Sequence, residues 1–480
     1  MTIEIPEKGM ARDEIMQTLR SYKGEDLDWH SGRVMGYVYD PGEKAMEVIN
    51  EAYTMYLSEN ALDPTTYPSL LRIENELTRM IANLLQGDEN VVGNFTSGGT
   101  ESLILAVKTA RDMMRVKKPE IKEPEMVLPI TAHSSFYKAA HYLCVKPVIV
   151  PVLDGSYRTD IAAMRDAITE NTILLVGSAP GYAHGVVDPI PEIAKLALEH
   201  DLPCHVDGCV GGIHLSYMRK MGYAVPEFDF TVPGVTSISA DLHKYGYAAK
   251  GASVILYKNQ EIRRHQMFAC SRWTGYTVIN PAVTSSKTGG PMAAAWAVLN
   301  YLGDEGYRKI VKEVMEATQL TLEGIAKIDG IEVLGKPDMC MYAFAATSEK
   351  LNVYRLADRM KTKGWFLQPQ FARNNSPSNL HVSFNRLSVP RAKEFLSILE
   401  QTVAEVMAEK VDDKTSELRA EIEKLSINFD EESFFKLAEM AGITGLELPE
   451  KMETINQLLE ALPYDVSEFM LVEFLNNLMK

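Results

Sequence analysis

Cysteine is scarce in this chain, and the little there is forms no pattern. The 480 residues hold five, Cys144, Cys204, Cys209, Cys270 and Cys340, an odd number with no Cys-x-x-Cys pair. That excludes a disulfide framework or a zinc ribbon as the basis of the fold, and no metal is expected. Such usage fits a reducing cytosol. Positive charge is also short: 49 Lys and Arg stand against 65 Asp and Glu, a formal charge of -16. Phosphate backbones are bound by clustered Lys and Arg, so no nucleic-acid partner is expected. An acidic surface likewise finds no charge attraction to an anionic membrane. The N-terminus lacks the basic region and apolar core of a signal peptide, and no apolar run is long enough to span a bilayer. The expected location is cytoplasmic, without a transmembrane segment. Internal repeats and low-complexity tracts are absent as well.

What is present is an ordinary globular composition, 46% hydrophobic and 24% charged. The length suffices for about three folding units, each able to bury its own core. Residues 1–57 read as an N-terminal arm with an amphipathic helix near Glu43 to Tyr56. Over 58–300, short apolar strings alternate with helix-length segments: Met126 to Leu128, Val148 to Val150, Ile173 to Val176 and Val254 to Leu256. Their spacing predicts βα units and a mainly parallel sheet. A long helical stretch, Glu305 to Ile328, leads into a smaller α/β domain over 301–410. Its strand candidates are Ile331 to Leu334, Tyr342 to Ala346 and His381 to Phe384, with helices near Val353 to Lys363 and Arg391 to Met407. Residues 411–480 form an acidic, helix-like extension, in which Val466, Phe469, Met470, Leu471, Phe474, Leu475 and Leu478 fall on one broad apolar face. Core or dimer packing and contact with an acyl chain are both open for that face.

Four short words carry chemistry. Ile238-Ser-Ala-Asp-Leu-His-Lys-Tyr-Gly246 reads as a strand running into a turn that delivers His243 and Lys244. A lysine amine attacks a carbonyl only when deprotonated, so a Schiff-base role for Lys244 predicts a pKa lowered by desolvation or positive charge. His205-Val-Asp-Gly-Cys-Val-Gly-Gly212 places Asp207 at a strand end, where a carboxylate can keep a pyridinium nitrogen protonated. Thr96-Ser-Gly-Gly-Thr-Glu-Ser102 opens the helical run Leu103 to Met114, and backbone N–H groups at such a start suit a phosphate. Ala132-His-Ser-Ser-Phe136 follows a strand candidate and offers His133 to a flat ring. Taken singly, each has an ordinary explanation: a solvated lysine, a turn-supporting aspartate, a helix N-cap, a structural histidine.

In this order the four words reproduce the layout of pyridoxal phosphate (PLP) enzymes of the aspartate-aminotransferase fold type. Together with Gly177-Ser-Ala-Pro180, His184-Gly-Val-Val-Asp-Pro189 and His243-Lys-Tyr-Gly-Tyr-Ala-Ala-Lys-Gly251, they make the chain resemble the group II PLP-dependent decarboxylases from about Val34 to Asn385. Within that family the resemblance is to the branch of sphingosine-1-phosphate lyases. It implies an α/β fold of PLP-dependent transferase type I, with PLP as cofactor. Gly99 and Thr100 would hold the phosphate, His133 would stack on the ring, Asp207 would pair with the ring nitrogen, and Lys244 would form the Schiff base. His243 would add a phosphate contact, and Ser286 would reach the phosphate of a neighbouring subunit, so a homodimer with the active site at its interface is implied. For a phosphorylated small-molecule amine substrate, the resemblance puts Tyr39 and Lys250 near the phosphate and Tyr182 near the reacting centre.

One position departs from the pattern. The family has a histidine in an Asn-x-Leu-His-Pro segment, whereas this chain reads Asn60-Ala-Leu-Asp-Pro64. A carboxylate at Asp63 repels a phosphate unless protonated or turned away. Some amino-acid decarboxylases of the family carry Asp here, while Lys250 favours the lyases. Retro-aldol cleavage of a phosphorylated long-chain amino alcohol is therefore placed ahead of amino-acid α-decarboxylation. A catalytically silent binding scaffold is set aside because Lys244 and Asp207 are both present.

Overall fold

The computed structural model describes residues 4–409 and 451–479. The helix-like reading of residues 411–450 lies outside the described residues.

A seven-stranded sheet organises the larger part of the chain. Its strands are β1 (Val92–Thr96), β2 (Glu125–Pro129), β3 (Lys146–Val150), β4 (Thr172–Ser178), β5 (Cys204–Asp207), β6 (Val235–Asp241) and β7 (Ser253–Tyr257), in the order β1-β7-β6-β5-β4-β2-β3. Neighbours from β6 across to β3 pair in parallel, while β7 runs antiparallel to both β1 and β6. The expectation of a mainly parallel sheet therefore holds, with Val254 to Leu256 as the reversed strand. Thr172–Ser178 is buried at every position. An unbroken apolar run is what a strand covered on both faces by helices requires. The covering helices include Gly99–Lys117, Ile190–Glu199 and Gly212–Lys220.

The pairing register builds one functional edge. Thr96 pairs with Ser253, and Ser253 with Asp241. On the other side Ser239 pairs with Asp207, and Asp207 with Ser178. The C-terminal ends of β1, β6, β5 and β4 thus line up along one side of the sheet, the side where open α/β sheets bind ligands.

A hairpin of β8 (Phe268–Cys270) and β9 (Val278–Asn280) follows. The helical stretch Gly289–Ile325 is two helices broken at Gly303, whose φ of 56° and ψ of -175° are not helical. It leads to a four-stranded antiparallel sheet of β10 (Ile331–Val333), β11 (Met341–Ala346), β12 (Gln368–Gln370) and β13 (Asn379–Ser383), ordered β10-β11-β13-β12. Helices Val353–Thr362 and Ala392–Ala408 cover it, close to their expected places. Strand β12 was not expected from the sequence. The amphipathic helix of the arm spans Glu43–Met55 and packs along the long helix.

Two C-terminal helices, Glu453–Ala461 and Tyr464–Leu478, complete the described chain. Of the apolar face noted there, Val466 and Met470 are buried, whereas Phe469, Leu471, Leu475 and Leu478 are about half exposed. All five cysteines are unpaired. Among the described residues no helix is long and apolar enough to cross a membrane, and no group of three or more His, Cys, Asp or Glu side chains could hold a metal ion.

Candidate active site

A cavity of about 360 Å³ opens at the strand-end edge. Seven residues singled out in the sequence line it: Gly99, Thr100, His133, Tyr182, Asp207, His243 and Lys244. Its floor is the sheet itself. Asp207 ends β5 with 8% of its surface exposed, and its Oδ1 accepts hydrogen bonds from the Cys209 N–H at 3.0 Å and the Ser239 hydroxyl at 3.4 Å. Behind it, His205 is fully buried between Ser237 and Ser239, and burial pulls its pKa down to about 4, so the imidazole is neutral.

Lys244 follows the end of β6 on a turn locked by buried tyrosines. The Tyr245 hydroxyl donates to the Phe384 carbonyl at 2.8 Å, and the Tyr307 hydroxyl to the Gly246 carbonyl at 2.6 Å. Lys244 Nζ lies 2.9 Å from Asp241 Oδ2, and His243 Nε2 lies 3.6 Å from the same oxygen. This corrects the sequence expectation of a lowered lysine pKa. Burial does pull Lys244 down, but the adjacent Asp241 carboxylate outweighs it and holds the ammonium above the ordinary lysine range. Burial raises Asp241 in turn, yet the Lys244 and His243 charges win and its pKa is lowered. Asp241 was not singled out in the sequence. Its position three residues before Lys244, at the end of the same strand, was the available signal.

Opposite this pair is the N-terminus of the helix Gly99–Lys117. No side chain caps it, so its first-turn N–H groups are left for a ligand. Glu101 fixes the approach by accepting from the Ser97 N–H at 2.6 Å and the Val283 N–H at 2.7 Å. Gly99 is required by closeness: a Cβ there would stand 2.8 Å from Asp241 Oδ2 and 3.0 Å from Cys209 Sγ. The Thr100 hydroxyl meets the Ser135 hydroxyl at 2.8 Å, which in turn lies 2.9 Å from His133 Nδ1. Because the Ser135 N–H also donates to Nδ1, the neutral ring carries its proton on Nε2. Ser135 is thus an orienting residue that the motif alone did not reveal.

Tyr39 and Lys250 do not line the cavity itself but stand beside it, Lys250 next to the His243 carbonyl, and this mouth is built differently. Lys250 is exposed, 5.1 Å above the Tyr39 ring, and donates to the Tyr37 carbonyl at 2.8 Å. Desolvation and then the Lys244 charge draw its pKa down to about 8. Burial raises the Tyr39 phenol well above the ordinary range. Tyr182 is pushed up to about 12 by burial, and its ring stacks on His381 at 4.2 Å. The loop carrying it turns at Gly185, where φ is 70° and a Cβ would meet the Met341 carbonyl oxygen at 2.0 Å.

Ser286 and Asp63 are not brought to this pocket. Both are exposed, and the segments that carry them meet where the Asn60 amide reaches the Ser286 hydroxyl at 3.4 Å and Asn60 bridges Thr288. Beneath it, Lys287 makes a buried ion pair with Glu74, which also accepts from the Phe95 N–H at 2.9 Å. The Asp63 carboxylate is turned onto its own backbone: Thr65 N–H and hydroxyl donate to it at 2.8 and 2.6 Å and lower its pKa.

The cavity suits a planar anionic cofactor. Helix N–H groups without a side-chain cap, a carboxylate at Asp207 and an amine at Lys244 line the same cavity, and Asp241 Oδ1 is buried with no hydrogen-bond partner.

Comparison with known proteins agrees. Residues 4–347 match the pyridoxal-dependent decarboxylase conserved domain, and residues 401–477 match a pyridoxal-dependent enzyme C-terminal putative HTH domain. The chain is 41% identical over 412 residues to the sphingosine-1-phosphate lyase of Arabidopsis thaliana, covering 84% of this chain and 74% of that one. It is 34% identical over 364 residues to a probable L-aspartate decarboxylase of Pyrococcus furiosus, covering 76% and 94%. The solved structure of Burkholderia pseudomallei K96243 sphingosine-1-phosphate lyase superposes with a TM-score of 0.81 at 34% identity, over 90% of this chain and 98% of that one. The α/β fold is accordingly the type I fold of PLP enzymes, and PLP is the cofactor. This chain belongs to the pyridoxal-dependent decarboxylase family.

Proposed function

We propose that this chain is a PLP-dependent aldehyde-lyase of the sphingosine-1-phosphate lyase kind. It cleaves a phosphorylated long-chain amino alcohol to a fatty aldehyde and phosphoethanolamine. The observation that carries the reading is Lys250: an ammonium at the pocket mouth, touching backbone oxygens of Tyr37 and His243 and, among the described residues, without an ion-pair partner. Such a cation is suited to a phosphate taken partly out of water. Similarity to lyases over most of the chain supports the same substrate class.

When bound, PLP supplies the electron sink for the bond that breaks. In the proposed assignment, Gly99, Thr100 and His243 hold its phosphate, His133 covers one face, Asp207 keeps the ring nitrogen protonated, and Lys244 is the covalent anchor. Tyr39 and Lys250 hold the substrate phosphate. Tyr182, protonated at neutral pH, offers its hydroxyl at the reacting centre. The substrate hydroxyl loses its proton, the Cα–Cβ bond breaks, the hydroxyl carbon leaves as aldehyde, and Cα takes up a proton. Ser286 and Asp63 lie outside this chain's pocket, which supports their serving the site of a second subunit in a homodimer. The proposed location is cytoplasmic.

α-Decarboxylation of an amino acid is the second reading, favoured by Asp63 in place of the family histidine and by the Pyrococcus relative. End-point product analysis separates the two. Purified PLP-loaded protein is incubated with sphinganine 1-phosphate or with a panel of amino acids, and products are read by mass spectrometry. Aldehyde with phosphoethanolamine is the expected result. Amine and carbon dioxide from an amino acid, with no aldehyde, would overturn it.

A further inference from the structure

The C-terminal segment is matched to a putative HTH domain, yet its described part carries no basic face. Over residues 451–479, Lys451 is the one basic residue beside Glu453, Glu460, Asp465, Glu468 and Glu473. One of those carboxylates has a different task. Glu460 Oε1 accepts three hydrogen bonds: from the Tyr354 hydroxyl at 2.7 Å, the Ala372 N–H at 2.5 Å and the Ser378 hydroxyl at 2.7 Å. The helix that presents it is itself fixed, because Asp358 accepts from the Met452 and Glu453 N–H groups at 3.0 and 2.9 Å and Arg355 pairs with Glu453 at 2.9 Å.

Ala372 and Ser378 bracket a loop whose far side touches the residues that follow Tyr182, a lining residue of the cavity. Within it, Arg373 and Ser376 exchange backbone hydrogen bonds at 2.9 and 3.0 Å, so the loop behaves as one piece. Its Ser376 hydroxyl lies 2.9 Å from His184 Nε2, and Gln370, just before it, donates to the Ala183 carbonyl at 2.9 Å. Ala183 and His184 are the two residues after Tyr182. The strand that follows the loop supplies His381, on which the Tyr182 ring stacks.

We propose that Glu460 is a positioning residue: through the loop 370–378 the C-terminal segment sets the place of Tyr182 in the pocket. The proposal rests on the reading of Tyr182 as facing the reacting centre. A carboxylate that gathers three donors at one oxygen fixes their relative positions more tightly than neutral bonds do. Displacements of about 1 Å at a reacting centre lower rates by as much as about a hundredfold.

The test uses PLP-loaded full-length protein and the variants Glu460→Ala and Glu460→Gln. Glu460→Ala is expected to speed amide exchange at 181–186 and at 370–378, and to lower kcat for sphinganine 1-phosphate about tenfold or more with little change in KM. The absorbance of bound cofactor is expected to stay as in the parent. Glu460→Gln, which keeps an acceptor oxygen, is expected to recover most of both readouts. In a Tyr182→Phe background, Glu460→Ala is expected to cost little further kcat, since both changes act on one group. Unchanged exchange at 181–186, or a full additive loss on top of Tyr182→Phe, would overturn the proposal. If sphinganine 1-phosphate is not turned over, the reaction assignment fails, while the exchange readout still decides the role of Glu460. Should Glu460→Ala not fold, exchange in Ser378→Ala, which removes the loop's side-chain donor to Glu460, decides it: faster exchange at 181–186 than in the parent supports the role, and parental exchange there overturns it.

Discussion

The floor and the mouth of the pocket are built on opposite plans. On the floor, Asp207, Asp241 and Lys244 stand on or directly beside strand ends, and every charge has a neighbour within the same chain: Lys244 with Asp241, Asp207 with Cys209 and Ser239. At the mouth, Lys250 leans on backbone carbonyls, Tyr37 is 57% exposed, and Asp63 and Ser286 are exposed and outside the cavity lining. The groups of the floor are paired by the fold alone. Recognition is left to groups that a substrate, or a second subunit, has still to meet.

That contrast can be broken by substitution. Lys244→Ala should cut turnover by at least about 10⁴-fold and remove the absorbance band of the anchored cofactor. A variant that kept normal activity would sink the floor assignment. Asp207→Ala should retain cofactor but lose about 10²- to 10³-fold in kcat, read by comparing cofactor content with steady-state rate. Equal rates would mean that another group protonates the ring.

Smaller effects belong to the mouth and to the newly found neighbour of Lys244. Lys250→Ala should raise KM for a phosphorylated substrate about tenfold to a hundredfold, the worth of about 1.5 to 3 kcal/mol for a charged hydrogen bond, and change KM for an unphosphorylated amine far less. Parallel shifts for both substrates would remove its phosphate role. Asp241→Asn should cost about tenfold in kcat by releasing the lysine from its held position, measured with cofactor saturating. The pH profile gives the finest test. With Lys250 at about 8, its charge is present below that pH and lost above it. So kcat/KM for the phosphorylated substrate should decline above about pH 8, where the profile for a neutral-headed amine shows no matching fall. Profiles that coincide would place the phosphate elsewhere.

The sheet was readable where apolar residues run unbroken. Thr172–Ser178 and Ser253–Tyr257 are buried throughout and announce themselves as strands. Direction is another matter, since Val254 to Leu256 reads the same whichever way the strand points, and only pairing with β1 and β6 fixes it. Gln368–Gln370 was invisible because it is three residues long, polar at both ends and has Pro369 at its centre, a composition only an edge strand tolerates. At the site, His133, Asp207 and Lys244 were legible as types of residue at the ends of strands. Ser135, Ser239 and Glu460 were not, because a hydroxyl or a carboxylate acting through a contact between distant segments leaves no period or spacing behind. The charge state of Lys244 turns on a nearer neighbour, Asp241, three residues earlier at the end of the same strand, whose spacing was visible but was not weighed.

The Lys244–Asp241 ion pair also bears on how the enzyme matures. Beside the Asp241 carboxylate Lys244 is held as an ammonium, and an ammonium is not a nucleophile. If Lys244 is the covalent anchor, as proposed, that proton has to leave before the amine can bond to a carbonyl, and loading with cofactor is expected to be slower in acidic than in alkaline medium. The salt bridge that orders the Lys244 side chain would thus also set the pace at which the proposed anchor becomes reactive.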